Sequence, residues 1–124
     1  MIGKEVDMKM NKKIVLNGET YTIRLNEGVT AQAFEKLNHY STSLAPSGNH
    51  CYGPIYERLP IAEQFCTSTP HKGGVYYADY IQSIAIYTKD GGNIEPFVIV
   101  EIGEVEEDVT ELLQFTGRIE MEVD

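Results

Sequence analysis

The stretch GGVYYADYIQSIAIYTKD, residues 73–90, constrains the fold more than any other part of the chain. Two runs rich in Val, Ile and Tyr flank the short break DYIQS, the composition of a strand, a turn and a second strand. Side chains alternate along a strand, so Val75, Tyr77 and Asp79 share one face and Tyr76, Ala78 and Tyr80 the other. Beyond the break, Ile84 and Ile86 oppose Ala85 and Tyr87. Both faces thus carry substantial apolar area. A half-solvated open sheet would leave one face polar, whereas a sheet covered on both sides suits a barrel with elements packed outside it.

The remaining segments supply the other walls. KKIVLNGETYTIRLN places two β-rich runs around Asn17-Gly18, the pair that best tolerates the positive φ angles of a type I′ hairpin turn. TAQAFEKLNH changes period, with Ala33, Phe34 and Leu37 on one helical stripe and Thr30 as the expected N-cap. STSLAP and YGPIYERLP read as short strands around the polar turn SGN, their prolines limiting the ladders. After the flexible loop KDGGN, PFVIVEIGEV is another apolar strand. In VEEDVTELLQF, Val105, Val109, Leu112 and Leu113 fall at i, i+4, i+7 and i+8, as in an amphipathic helix, and Asp108 with Glu111 has capping-box spacing. RIEMEV alternates Ile119, Met121 and Val123 with charged neighbours and closes the sheet. The expectation is a mainly β protein, a closed barrel of seven or eight strands with two short helices. A chain of 124 residues makes one such domain, here residues 12–124 behind an N-terminal extension, 1–11.

Charge narrows the partners. Residues 101–124 hold nine acids against one base, Arg118, and account for nearly all of the formal net charge of −9. Binding to nucleic acid or an anionic membrane needs clustered Lys and Arg, which are absent, so neither is expected as a partner. The acids read as a solvated face. No apolar run approaches the length of a membrane span. The start, MIGKEVDMKMNKKIVLNG, has charged residues where a secretory signal needs its apolar segment, so a cytoplasmic protein is expected. Met8 offers a second natural start, and a leader removed earlier would leave the same sequence. Cys51 and Cys66 need not pair in such a compartment.

In order along the chain, ETYTIRLNEGVTAQAFEKL, GGVYYADYIQSIAIYT and GEVEEDVTELLQF resemble the opening, the central hairpin and a late segment of cyclophilins. The closer likeness is to small bacterial proteins described as cyclophilin-like and without assigned function. Their motifs match here as LNEGVTAQAF, ERLP with shifted spacing, GGVYY and SIAIYTKD, and the resemblance covers roughly residues 12–123. It implies a cyclophilin-like barrel. For a true cyclophilin it would imply prolyl isomerisation, which lowers a barrier of about 18–20 kcal/mol set by amide resonance.

The family uses an arginine in F-H-R-x-x-P, with a nearby Gln, in a groove shaped by Phe, Trp and His. This chain has Y-E-R-L-P, so Arg58 would be the catalytic donor, with Tyr56 and Phe65 forming the proline pocket. Glu57 stands in place of His, Pro60 comes one residue early, and Gln64 lies six residues after Arg58, closer than the family spacing. The chain has no Trp. An Arg beside a Glu is also the ordinary composition of a surface strand end.

Two readings follow. One is a binding module that holds a peptide or small molecule in a groove on the barrel without turnover. The other is a divergent peptidyl-prolyl isomerase. In both, the groove would draw on Tyr56, Arg58, Gln64, Phe65, Tyr76 and Tyr80, while Tyr77 and Tyr87 pack. No cofactor or metal is expected. His50, Cys51, Cys66 and His71 lack the tight ligand pairs of a zinc site, Glu101 and Glu104 read as water-facing acids, and the glycine pairs lack the strand-to-helix context of a phosphate loop. A Cys–His nucleophile pair would require the fold to bring His71 to one of the thiols.

Overall fold

The computed structural model describes residues 10–115 and 117–123. Of the N-terminal extension, residues 1–9 lie outside the described residues; Met10 packs on the core and Asn11 opens the first strand. Among the described residues, nine strands form one antiparallel sheet. They are β1 (Asn11–Leu16), β2 (Glu19–Leu25), β3 (Tyr40–Pro46), β4 (His50–Pro54), β5 (Cys66–Thr67), β6 (Gly74–Ala78), β7 (Ser83–Tyr87), β8 (Ile99–Val105) and β9 (Ile119–Val123). The spatial order is β2-β1-β9-β3-β4-β7-β6-β8-β5, and the extra pairing of β2 with β8 closes eight strands into a barrel. The two-residue β5 lies against Ile99 and Val100 of β8.

Closure fits the two-faced patterning. Val75, Tyr77, Ile84 and Ile86 point into the main core with Ile14, Ile23, Leu44, Ile102, Ile119 and Met121. Tyr76, Ala78, Ala85 and Tyr87 form a second apolar cluster on the outer face, joined by Ile99 and Ile94. Tyr77 and Tyr87 are thus both buried, but on opposite sides of the wall. The Asn17-Gly18 turn has φ of 50° and 87°, as a type I′ turn requires. Asn17 also accepts from Glu120 N at 2.8 Å through Oδ1, stitching this hairpin to β9.

Helix α1 (Val29–Glu35) carries Ala31 and Phe34 into the main core, which they must reach through an open end of the barrel. Its N-cap is Gly28, not Thr30. Thr30 sits inside the first turn and is fully buried; its hydroxyl donates to Pro60 O and accepts from Ala62 N at 2.9 Å. It was recruited by a neighbouring segment rather than by its own helix. Thr30→Val keeps the shape and strips both partners. We expect a loss of about 2 kcal/mol, read by urea unfolding, with Thr30→Ser much milder.

The second helix is a 3-10 segment, Val109–Gln114, and not an α-helix. Asp108 caps it as expected, accepting from Thr110 N at 2.9 Å, but Glu111 accepts from the Tyr21 hydroxyl instead of completing a capping box. With three residues per turn Val109 and Leu112 align and are buried, while Leu113 turns outward. Val105 belongs to β8. YGPIYERLP is strand only to Pro54; the chain from Ile55 to Ala62 crosses the barrel without ladder bonds of its own.

Candidate functional site

Small residues on the outer face of β4, β7 and β6 leave a depression. Ala78, Ser83 and Ala85 form its floor, in cross-strand register with Tyr52 and Pro54 of β4 and Tyr76 of β6. Larger rings stand around it. His50 stacks on Tyr87 with centroids 4.7 Å apart and planes 18° apart, and Tyr80 stacks on Phe97 at 5.1 Å. Tyr52, Ile81, Ile99 and Ser47 complete a groove of about 440 Å³. Tyr80, Ile81 and Phe97 are about half exposed, an unusual outlay of apolar surface for a small domain. Burial pulls the His50 imidazole below its ordinary pKa and favours the neutral ring. Its Nδ1 lies 2.7 Å from Asn49 Oδ1; an amide oxygen only accepts, so Nδ1 carries the proton and Nε2 remains an acceptor. The groove therefore combines aromatic walls with a few polar points, the usual make-up of a small-ligand site.

Arg58 lies by the turn joining β6 to β7. Its guanidinium donates to Asp79 Oδ1 at 2.8 Å, to Asp79 O at 3.3 Å and to Gln82 Oε1 at 3.2 Å. Asp79 is itself held by the Tyr77 hydroxyl at 2.6 Å, and Gln82 Nε2 donates to Ile55 O at 2.9 Å. Arg58 is thus part of a network clamping the 55–62 segment to the turn. Both of its terminal nitrogens are engaged within the protein.

The other sequence-selected residues are dispersed. Tyr80 lines the groove. Tyr56, 70% exposed, packs edge-on against Tyr40 at 5.4 Å. Gln64 is exposed on the 3-10 turn Glu63–Phe65. Phe65 packs over Gly28, where an added Cβ would meet its ring at 2.8 Å, and it lines a separate hollow with Arg24 and Glu101. Tyr56 does not line the hollow that Phe65 lines. Tyr76 must be corrected outright: its side chain is 0% exposed, and its hydroxyl accepts from His71 N at 3.0 Å, because the outer face of the hairpin is covered. It is wall, not rim.

Tyr52, Ser83 and Phe97 escaped sequence reasoning, and His50 was weighed only as a zinc ligand. They come from three separate segments, and only the β4–β7 register and the path of the chain before β8 bring them together. Nor do the cysteines join a histidine site. Cys51 is buried, its thiol pushed up to about 12 by burial, and bonds Ile86 O. Cys66 rests near Ala62 O. His71 faces Glu101 and Glu104 instead. No helix among the described residues is long and apolar enough to cross a membrane.

Comparison with known proteins accords with this architecture. No curated protein matches the sequence. A hypothetical protein from Archaeoglobus fulgidus, solved in solution, superposes with a TM-score of 0.65 at 13% identity, over 94% of each chain, a likeness of fold alone. The profile of the Cyclophilin-like family matches residues 14–124. With that match running from β1 to the end of the closing strand, the chain belongs to the Cyclophilin-like family.

Proposed function

We propose that this protein is a binding module that receives an apolar or aromatic group, from a peptide or a small molecule, in the groove over Ala78, Ser83 and Ala85. The single observation that carries this reading is an aromatic-walled depression whose rim residues Tyr80 and Ile81 remain exposed, as does Phe97 stacked on Tyr80. Burial of such surface on binding supplies about 25 cal/mol per Å² before ordering costs, enough for a specific site of this size. Turnover is not part of the reading, because the arginine that a prolyl isomerase would aim at its substrate is tied to Asp79 and Gln82.

Titration with the neutral fluorophore N-phenyl-1-naphthylamine, followed by amide NMR, tests it. Saturable shifts should centre on Ala78, Ser83 and Ala85. Both Ala85→Phe, which fills the floor, and Tyr80→Ala, which removes an exposed wall, should weaken binding at least about tenfold, a change of about 1.4 kcal/mol. Scattered or non-saturating shifts would overturn the reading. The second reading, a divergent isomerase, rests on the survival of Arg58 and Pro60. It predicts faster isomerisation of a succinyl-Ala-Ala-Pro-Phe anilide that Arg58→Ala abolishes with the melting temperature nearly unchanged.

A further inference from the structure

A second convergence of side chains lies on the outer face of β6 and β8, and a β-bulge creates it. Val75 pairs with Gly103 while Tyr76 pairs with Glu101, so β8 carries one extra residue, Ile102. In a regular strand, residues three apart point to opposite faces. Across the bulge they do not: Ile102 and Val105 both enter the main core, and Glu101 and Glu104 both emerge beside His71. Bulges serve to re-aim side chains in this way.

The imidazole is fixed at one ring nitrogen. His71 Nδ1 lies 3.0 Å from Lys72 O, and a carbonyl only accepts, so Nδ1 carries a proton. The other nitrogen, Nε2, faces Glu101 Oε2 at 3.2 Å and Glu104 Oε2 at 3.8 Å. One oxygen from each carboxylate and a ring nitrogen lie within 4.8 Å of one another. If the ring is neutral, three lone-pair donors meet. Histidine metal ligands show this same support, with the second ring nitrogen donating to a backbone carbonyl.

A buried phenol adjoins the cluster. Tyr76 is 0% exposed and is the cross-strand partner of Glu101; its oxygen accepts from His71 N at 3.0 Å. Its own proton has no acceptor among the described residues, a donor kept out of bulk water beside two carboxylates. The nearest cations are directed elsewhere. Lys72 reaches Asp108 at 3.9 Å, and Arg24, although it shares a hollow with Glu27, Glu101 and Glu104, pairs with Glu106 at 3.4 Å.

We propose that His71 Nε2, Glu101 and Glu104 bind a divalent transition metal, Zn²⁺ in the first instance, with the remaining position taken by a water that accepts from Tyr76. Tetrahedral zinc with bonds of about 2.0–2.1 Å sets its ligands roughly 3.3 Å apart, close to the separations around His71. One imidazole with two carboxylates favours zinc over magnesium or calcium, which take oxygen ligands.

Calorimetric titration of the full chain with Zn²⁺ at pH 7 tests the site, with Co²⁺ as a spectroscopic substitute. One equivalent should bind, and Glu101→Gln, Glu104→Gln and His71→Gln should each weaken binding by about 100-fold or more, beyond the 10–100-fold seen when only a supporting residue is lost. Tyr76→Phe should weaken it less. The Co²⁺ complex should lack a thiolate charge-transfer band. Affinity should fall tenfold per pH unit once His71 is protonated. Burial lowers the pKa of this imidazole, but the Lys72 carbonyl and the two carboxylates outweigh it and raise it above the ordinary value, so the fall begins nearer neutrality than for a free histidine. Equal binding by the Glu101→Gln/Glu104→Gln double variant, a thiolate band removed by Cys66→Ser, or no binding by the wild type would each overturn the proposal. The last result would leave a protonated His71 ion-paired to the two acids. Glu104 is mostly exposed, so its variant folds independently of the outcome.

Discussion

Phe34→Ala lowers stability by about 4 kcal/mol, within the range for truncating a fully buried ring. The side chain is 0% exposed and joins the main core with Ala31 from a helix of only seven residues. So short a helix has little stability of its own and persists because its apolar face is buried in the barrel. Removing the ring leaves a cavity that the ladders on either side cannot collapse to fill. For a domain of this size each kcal/mol moves the midpoint by about 4 °C, so calorimetry should find it about 15 °C lower. Val29→Ala, on the exposed side of the same helix, should move it by less than about 2 °C. Similar losses from the two variants would show that Phe34 does not fill the barrel.

Gly103→Ala comes next, at about 3 kcal/mol. Gly103 pairs with Leu25 on one side and Val75 on the other, at the seam where β2 meets β8 and the barrel closes. A Cβ there would stand 2.4 Å from Arg24 O and 3.0 Å from Ile23 Cγ2. The first clash is with a backbone carbonyl, which no rotamer change relieves, so the cost falls at the upper end of the overpacking range. The same substitution at Gly117, where an added Cβ meets nothing within 4 Å, should cost well under 1 kcal/mol. The displacement also shifts Glu101 and Glu104, so Zn²⁺ affinity should fall along with the melting temperature. A Gly103→Ala protein as stable as the wild type would mean that the seam is open.

Some of this was legible in residue order because it rests on local rules. Strand parity separated Val75 and Tyr77 from Tyr76 and Ala78, and Ile84 and Ile86 from Ala85 and Tyr87, and the core divides along both lines. Asn17-Gly18 marked its turn because few other pairs adopt two positive φ angles cheaply. Where the reading failed, a partner distant in sequence had outbid a neighbour. Thr30 left the cap for Pro60 and Ala62, Glu111 left its capping box for Tyr21, and Tyr76 was sealed by the outer layer. The last helix wound three residues per turn, so a 3.6-residue stripe misplaced Leu113.

The sequence by itself determined the alternation, the turns and the two-sided burial that forces the sheet to close, since each depends on residues within a few positions of one another. Only the tertiary structure decided the sites. Register placed Ala85 between Tyr52 and Tyr76 to floor the groove, and it turned Arg58 into a clamp for Asp79 and Gln82. One extra residue in β8 put Glu101 and Glu104 on the same side of the wall as His71. Strand offsets and bulges are settled by the packing of the whole barrel, and no periodicity along a single segment encodes them.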